Sequence, residues 1–225
     1  MRPLKQPRIA RVALWGTVWI SLTVPSRMTA LDPVQLFQSS RPVRLFEKGV
    51  EHYNAGRYYT ALDIFRRLMN YPPERNKLLT ASYLMTMKSY FHAGRSEEAM
   101  EVGRSFLVRF PGSSYLDDVY ECFGDIFVTE GRYRPAVENY LDARRKAGGD
   151  SAVVRLDEKL SRLAYGLLKE EEIRDLLGME VDPQSRSILT LMLADRLLAN
   201  GKADEAALTL FRMNAEDIPP SFADD

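Results

Sequence analysis

From Leu31 onward, apolar residues fall at helical spacing in blocks that glycine and proline interrupt. Four stretches align on their glycines: "YNAGRYYTALDIF", "FHAGRSEEAMEVG", "VTEGRYRPAVENY" and "LANGKADEAALTL". These place Gly56, Gly94, Gly131 and Gly201 at spacings of 38, 37 and 70 residues. The last interval is a double one, so it predicts a degraded copy between Gly131 and Gly201. "VVRLDEKLSRLAYGLLKEEEIRDLLG" fills that interval with a helical apolar pattern that lacks small-residue punctuation.

The pattern predicts one helical hairpin per copy. An amphipathic helix leads to the glycine, which lets the backbone leave the helix in a left-handed conformation. A basic residue follows: Arg57, Arg95, Arg132 or Lys202. Five residues after each glycine stands an alanine, Ala61, Ala99, Ala136 or Ala206, where a second helix must cross the first closely. One turn further comes a larger group, Phe65, Tyr140 or Leu210, with Gly103 as the exception. Two units close with "YPP" (residues 71–73) or "FPG" (residues 110–112), where proline stops the helix.

These residues resemble the tetratricopeptide repeat, a helix-turn-helix unit of about 34 residues. Gly49, Gly56, Ala61, Phe65, Leu68 and Pro73 match its pattern in the first copy, and Gly124, Gly131, Ala136, Tyr140 and Ala143 match in the third. The resemblance spans residues 42–216. It implies an all-α, right-handed α-solenoid of about five hairpins, the fourth degenerate. "RFPGSSYLDDVYECFGDIFVTEGRYRPAVENY" is also similar to repeats of bacterial envelope proteins of the outer-membrane assembly and cell-division coordinator type. Two departures limit that likeness. No cysteine stands near residue 30 to take a lipid, and about ten residues before the first repeat are too few for a trimerising coiled coil.

The N-terminus adds a compartment. "MRPLKQPRIAR", "VALWGTVWISLTV" and "PSRMTA" read as a basic segment, a short apolar run, a proline breaker and Ala30 at a cleavage point. Residues 1–30 are therefore expected to be a signal peptide, with an uncleaved anchor as the alternative. The apolar run is shorter than the about 20 residues that cross a bilayer. The expected organisation is a short segment at 31–41, the solenoid at 42–216 and an acidic tail at 217–225, in a periplasmic or secreted protein. Basic and acidic residues balance at 31 each, but five of the basic ones lie in the leader, leaving a net charge of −5. That sign argues against general affinity for nucleic acid or anionic lipid. The single cysteine, Cys122, excludes an internal disulfide.

No phosphate loop, nucleophile elbow or zinc-type cluster is present, and neither catalytic residues nor a cofactor is expected. Asp125 and Glu130, five apart on one helix, diverge by about 140° and do not make a carboxylate pair. Cys122 reads as a small core residue. His52 and His92, one repeat apart, are the only basis for a metal-dependent alternative, and they read more simply as surface or groove side chains.

What remains is a surface for a protein or peptide partner of the envelope. By the resemblance, first helices line the concave face, which places Phe46, Val50, Tyr53, Leu84, Lys88, Phe91, His92, Glu121, Asp125 and Thr129 in a groove. It should be apolar and aromatic at its N-terminal end and acidic further along, suiting an extended peptide or an amphipathic helix. The Lys and Asn constellation by which cochaperones of this family clamp a carboxylate is absent. In the last repeat, Leu189, Leu191, Met192, Leu193, Leu197 and Leu198 spread around most of one helix. An end repeat normally turns a polar face outward, so the alternative function is a helper module of a larger envelope receptor or transport protein.

Overall fold

A computed structural model describes residues 33–72, 77–164, 167–179 and 182–213. The leader, Pro73 and the acidic tail lie outside the described residues, so the signal-peptide and tail expectations do too. Ten helices and no strand are found among the described residues: α1 (Pro33–Asn54), α2 (Tyr58–Met69), α3 (Leu79–His92), α4 (Ser96–Arg109), α5 (Leu116–Thr129), α6 (Tyr133–Lys146), α7 (Asp150–Ala164), α8 (Glu170–Gly178), α9 (Pro183–Ala199) and α10 (Ala203–Phe211). None of the described helices is long and apolar enough to cross a membrane. α1 begins at Pro33, within the segment expected to precede the first repeat, and carries Pro42 inside it.

The four aligned glycines turn four hairpins. Gly56, Gly94, Gly131 and Gly201 have φ of 72°, 74°, 70° and 76°. In each turn the glycine N–H donates three residues back and the next N–H donates five residues back. At Gly131 these bonds reach the Val128 and Phe127 carbonyls at 3.0 and 2.8 Å, and the other three turns repeat the pattern. This pair of hydrogen bonds satisfies two of the last carbonyls of the first helix. The basic residue after the glycine is thus the second donor of the turn, and Arg132 also lies over the Phe127 ring at 4.6 Å. Nothing lies within 4 Å of a Cβ built on Gly131, so Gly131→Ala meets only the left-handed backbone. We expect it to lower stability by about 1 kcal/mol, read from chemical denaturation, with the fold retained.

The four alanines after the turns are buried, and α1 packs on α2, α3 on α4, α5 on α6 and α9 on α10. Opposite the crossings, Gly49 faces Phe65 and Gly124 faces Tyr140. Gly103 is explained by its neighbour. A Cβ there would lie 2.5 Å from the Phe123 ring and 2.8 Å from the methyl of Met87. The larger group that the position lacks is supplied by the first helix of the following hairpin.

The degraded copy consists of α7 and the short α8. α7 packs on α6 and α9, and α8 packs on α9. Without a glycine turn, α8 starts where the Lys169 N–H donates to the Glu172 carboxylate at 2.8 Å, while α9 starts at Asp182, which accepts from the Ser185 N–H at 2.9 Å. Glu170 ties this copy to the last turn through Lys202 at 2.9 Å and Asn200 at 3.2 Å. Hydrogen bonds from Lys202 and Arg174 hold its carboxyl down to about 2. Among the described residues the structure is an all-helical solenoid of helical hairpins, with the fourth irregular.

Candidate protein-binding groove

Six of the ten groove residues named from sequence meet in one place. Tyr53 from α1, Lys88, Phe91 and His92 from α3, and Glu121 and Asp125 from α5 line a cavity of about 140 Å³. Asp118 and Cys122 complete its wall. The helical pitch brings these residues together: 88, 91 and 92 lie three to four apart on α3, and 118, 121, 122 and 125 do the same on α5.

The remaining four have other surroundings. Phe46 packs edge-on against Phe65 with ring centroids 5.5 Å apart, and Val50 packs beside it on the α2 core. Leu84 is buried, 5% exposed, in the core cluster that α3 shares with α2, α4 and α5, so it faces the core instead of the groove. Thr129 bonds back to the Ile126 carbonyl at 2.7 Å, closing the end of α5.

The aromatic end of the cavity is a packed group. His92 stacks on Tyr58 at 5.2 Å, meets Tyr53 edge-on at 5.6 Å and tilts against Phe91 at 5.1 Å. Burial lowers the His92 pKa, against the pull of Asp125, so the imidazole is neutral at neutral pH. Burial likewise pushes the Tyr53 hydroxyl up to about 12. His52, by contrast, accepts from the Arg57 Nε at 2.8 Å. The two histidines have different partners, and no group of three His, Cys, Asp or Glu side chains forms a metal-ligand set among the described residues. Cys122 shares the cavity with His92, but burial, followed by Asp125, pushes its thiol up to about 12. A thiol held protonated in this way is a poor nucleophile.

The acidic end differs from expectation. Glu121 and Asp125 do not present an open negative surface, because α7 answers both. Arg155 reaches the Glu121 carboxylate with Nε at 3.0 and 3.1 Å and Nη2 at 2.9 Å. Lys159 bridges Glu121 at 2.9 Å and Asp125 at 2.5 Å. Burial pushes the Glu121 pKa up, but the bonds from Arg155 and Lys159 outweigh it and leave the carboxyl below its ordinary range. Lys88 and Asp118 pair at 2.6 Å between α3 and α5. A ladder of ion pairs therefore crosses three successive first helices. Asp125 and Glu130 go to separate partners, Asp125 to Lys159 and the Tyr140 hydroxyl, Glu130 to Arg132.

The groove continues past Asp125 into a second cavity of about 260 Å³, floored by Val128, Leu163 and Leu167 and edged by Lys159 and Arg162. The basic side chains of α7 escaped the sequence reading, yet a signal was present. Glu121 and Arg155, and likewise Asp125 and Lys159, stand 34 residues apart, one repeat length, which places them at equivalent sites on neighbouring first helices.

No family model matches the chain, and no curated protein matches it. A solved structure of a MamA mutant is similar over 77% of this chain and 96% of that one, at 20% identity and a TM-score of 0.43. A likeness at that level carries no argument about function.

Proposed function

We propose that the protein is a non-enzymatic interaction scaffold of the cell envelope that holds an extended peptide or a helix of a protein partner in its concave groove. The observation that carries this reading is the meeting of side chains from α1, α3 and α5 in one open, aromatic-walled cavity that runs on into an apolar one. Such a groove suits anchor residues projecting from a peptide. The leader-like pattern of residues 1–30 supports an exported, periplasmic location.

A photocrosslinker at position 91, used in cells and followed by mass spectrometry, identifies what occupies the groove and where the mature chain begins. A discrete envelope protein is the expected capture, with a chain start near Leu31. With that partner in hand, Tyr53→Ala and Phe91→Ala are each expected to weaken binding by about tenfold, the usual size of a moderate hot-spot effect, while circular dichroism stays unchanged. Undiminished affinity in both variants would refute the groove as the site.

A second reading has its own observation. The last hairpin turns Leu198, Leu208 and Phe211 outward at 54%, 58% and 89% exposure. A helper module docked by this face within a larger envelope assembly would leave the groove free of ligand. In that case the position-91 probe captures no partner.

A further inference from the structure

Two positions of the last hairpin break the chemistry of the array. Seven residues after the turn glycine stand Asp63, Glu101 and Glu138 in the first three hairpins, and Leu208 in the last. Ten residues after it stand Arg66, Arg104 and the buried Leu141, and Phe211 in the last. Asp63, Arg66, Glu101 and Arg104 are exposed, so both are solvent positions in the first two hairpins. Leu208 and Phe211 are exposed as well. They lie three apart on α10, on the side away from buried Ala206. An apolar pair that the core does not use, where the array otherwise places charge, marks a surface that another element covers.

The flanking charges say what covers it. Asp204 and Arg212 stand one turn before and one turn after Leu208, and each step of four residues turns the face by only about 40°. Arg212 keeps a right-handed helical backbone at φ −82° and ψ −5°, so both charges border the apolar pair. Neither has an ion-pair partner among the described residues, whereas Glu205 is held by Arg174 at 3.2 Å. A face that is negative at one end, apolar in the middle and positive at the other matches itself about a twofold axis. Antiparallel pairing sets Asp204 beside Arg212 at both ends and aligns the two helix dipoles favourably. The other end of the solenoid offers no such match. Lys48 on α1 stands eight residues before its turn glycine, the position of Phe123 on α5 and Leu193 on α9, and Glu47, Lys48 and Glu51 are all exposed. Head-to-tail stacking of copies would bury those charges, which favours the symmetric pair over an open array.

We infer that α10 is a dimer surface, on which a second copy of this chain docks antiparallel, with Leu208 and Phe211 at its centre and Asp204 beside Arg212 of the partner subunit. The inference stands apart from the groove reading and gives the last hairpin an occupant other than a larger assembly. Its consequence is valency. A pair carries two grooves, so a partner presenting two segments gains avidity without any new contact.

Sedimentation equilibrium on the chain as cells process it tests the pairing. A concentration-dependent dimer is expected. Leu208→Glu should raise its dissociation constant at least about tenfold. Three other hairpins already carry a carboxylate at that position, so circular dichroism should not change. Asp204→Lys sets like charges together at both ends of the pair, and so does Arg212→Glu; each alone should weaken pairing by about tenfold. Mixing the two variants restores both ion pairs, and the mixed dimer should regain most of the lost affinity. Misfolded chains cannot produce that recovery. A dimer indifferent to Leu208→Glu, or charge variants that fail to rescue each other, overturns the antiparallel α10 pair. A chain that stays monomeric up to its solubility limit overturns it too, and leaves the face to residues 214–225 or to a different protein. None of these results touches the groove, whose own test is the probe at position 91.

Discussion

Asp157→Ala is expected to lower stability by about 3–5 kcal/mol, the range for removing one partner of a buried ion pair. Asp157 lies on α7 and Arg144 on α6, with side chains 2% and 8% exposed. The Arg144 Nε donates to Asp157 at 2.5 Å and Nη2 at 3.4 Å, and Nη1 donates to Gln184 at 2.9 Å. One guanidinium thus ties α6, α7 and the first turn of α9 together. Removing the carboxylate leaves that cation buried with only an amide for company. The cost should be local, because each hairpin of a solenoid touches only its neighbours. Hydrogen exchange should lose protection in α6–α9 and keep it in α1–α4. Uniform loss along the chain would mean that the array unfolds as one unit. Replacing both partners, with Arg144→Met and Asp157→Leu, should recover most of the loss, since the desolvation of both charges is then removed.

That pair also marks the limit of what the sequence discloses. The hairpin turns were legible because a glycine in the left-handed region and a buried alanine five residues later are demands of the backbone, met the same way in each regular copy. Gly56, Gly94, Gly131 and Gly201 have the backbone conformation expected of them, and the alanines are buried where the helices cross. Gly103 looked like an irregularity within its own copy. Its reason lies in the next one, where Phe123 fills the space. The degraded copy was located by arithmetic alone, and its polar content stayed opaque. Asp157 and Arg144 are indistinguishable by type from solvated helix residues, and burial is a property of the stack, not of the segment.

The groove was half legible for the same reason. Helical spacing placed Tyr53, Phe91, Glu121 and Asp125 on first helices, and the stack brought them to one cavity. The sign of the charge beyond them depends on α7, whose Arg155 and Lys159 lie one repeat further on. Reading each copy alone gave an acidic floor, and reading pairs of copies gives a ladder. Leu84 shows the converse error. It occupies a first-helix position, but the rotation of α3 turns it into the core with Met87 and Phe123.

Gly124→Ala is expected to lower stability by about 2–3 kcal/mol, toward the upper part of the range for overpacking a core. The effect is opposite in origin to that at Gly131. Gly124 sits inside α5, where alanine is the better helix former by about 1 kcal/mol, so propensity alone predicts a gain. The space decides against it. A Cβ at Gly124 would lie 2.3 Å from Cε1 and 2.4 Å from Cδ1 of Tyr140. That ring cannot move aside easily, because it is 3% exposed and its hydroxyl donates to Asp125 at 2.7 Å. Any shift that relieves the clash therefore strains the Asp125 contact that joins the two groove cavities. Tyr140→Phe in the Gly124→Ala background frees the ring from its tether. If the tether fixes the ring, the two changes together should cost less than the sum of each alone, by about 0.5 kcal/mol or more. Strict additivity in that cycle would mean that the surrounding core, and not the hydrogen bond, holds the ring in place.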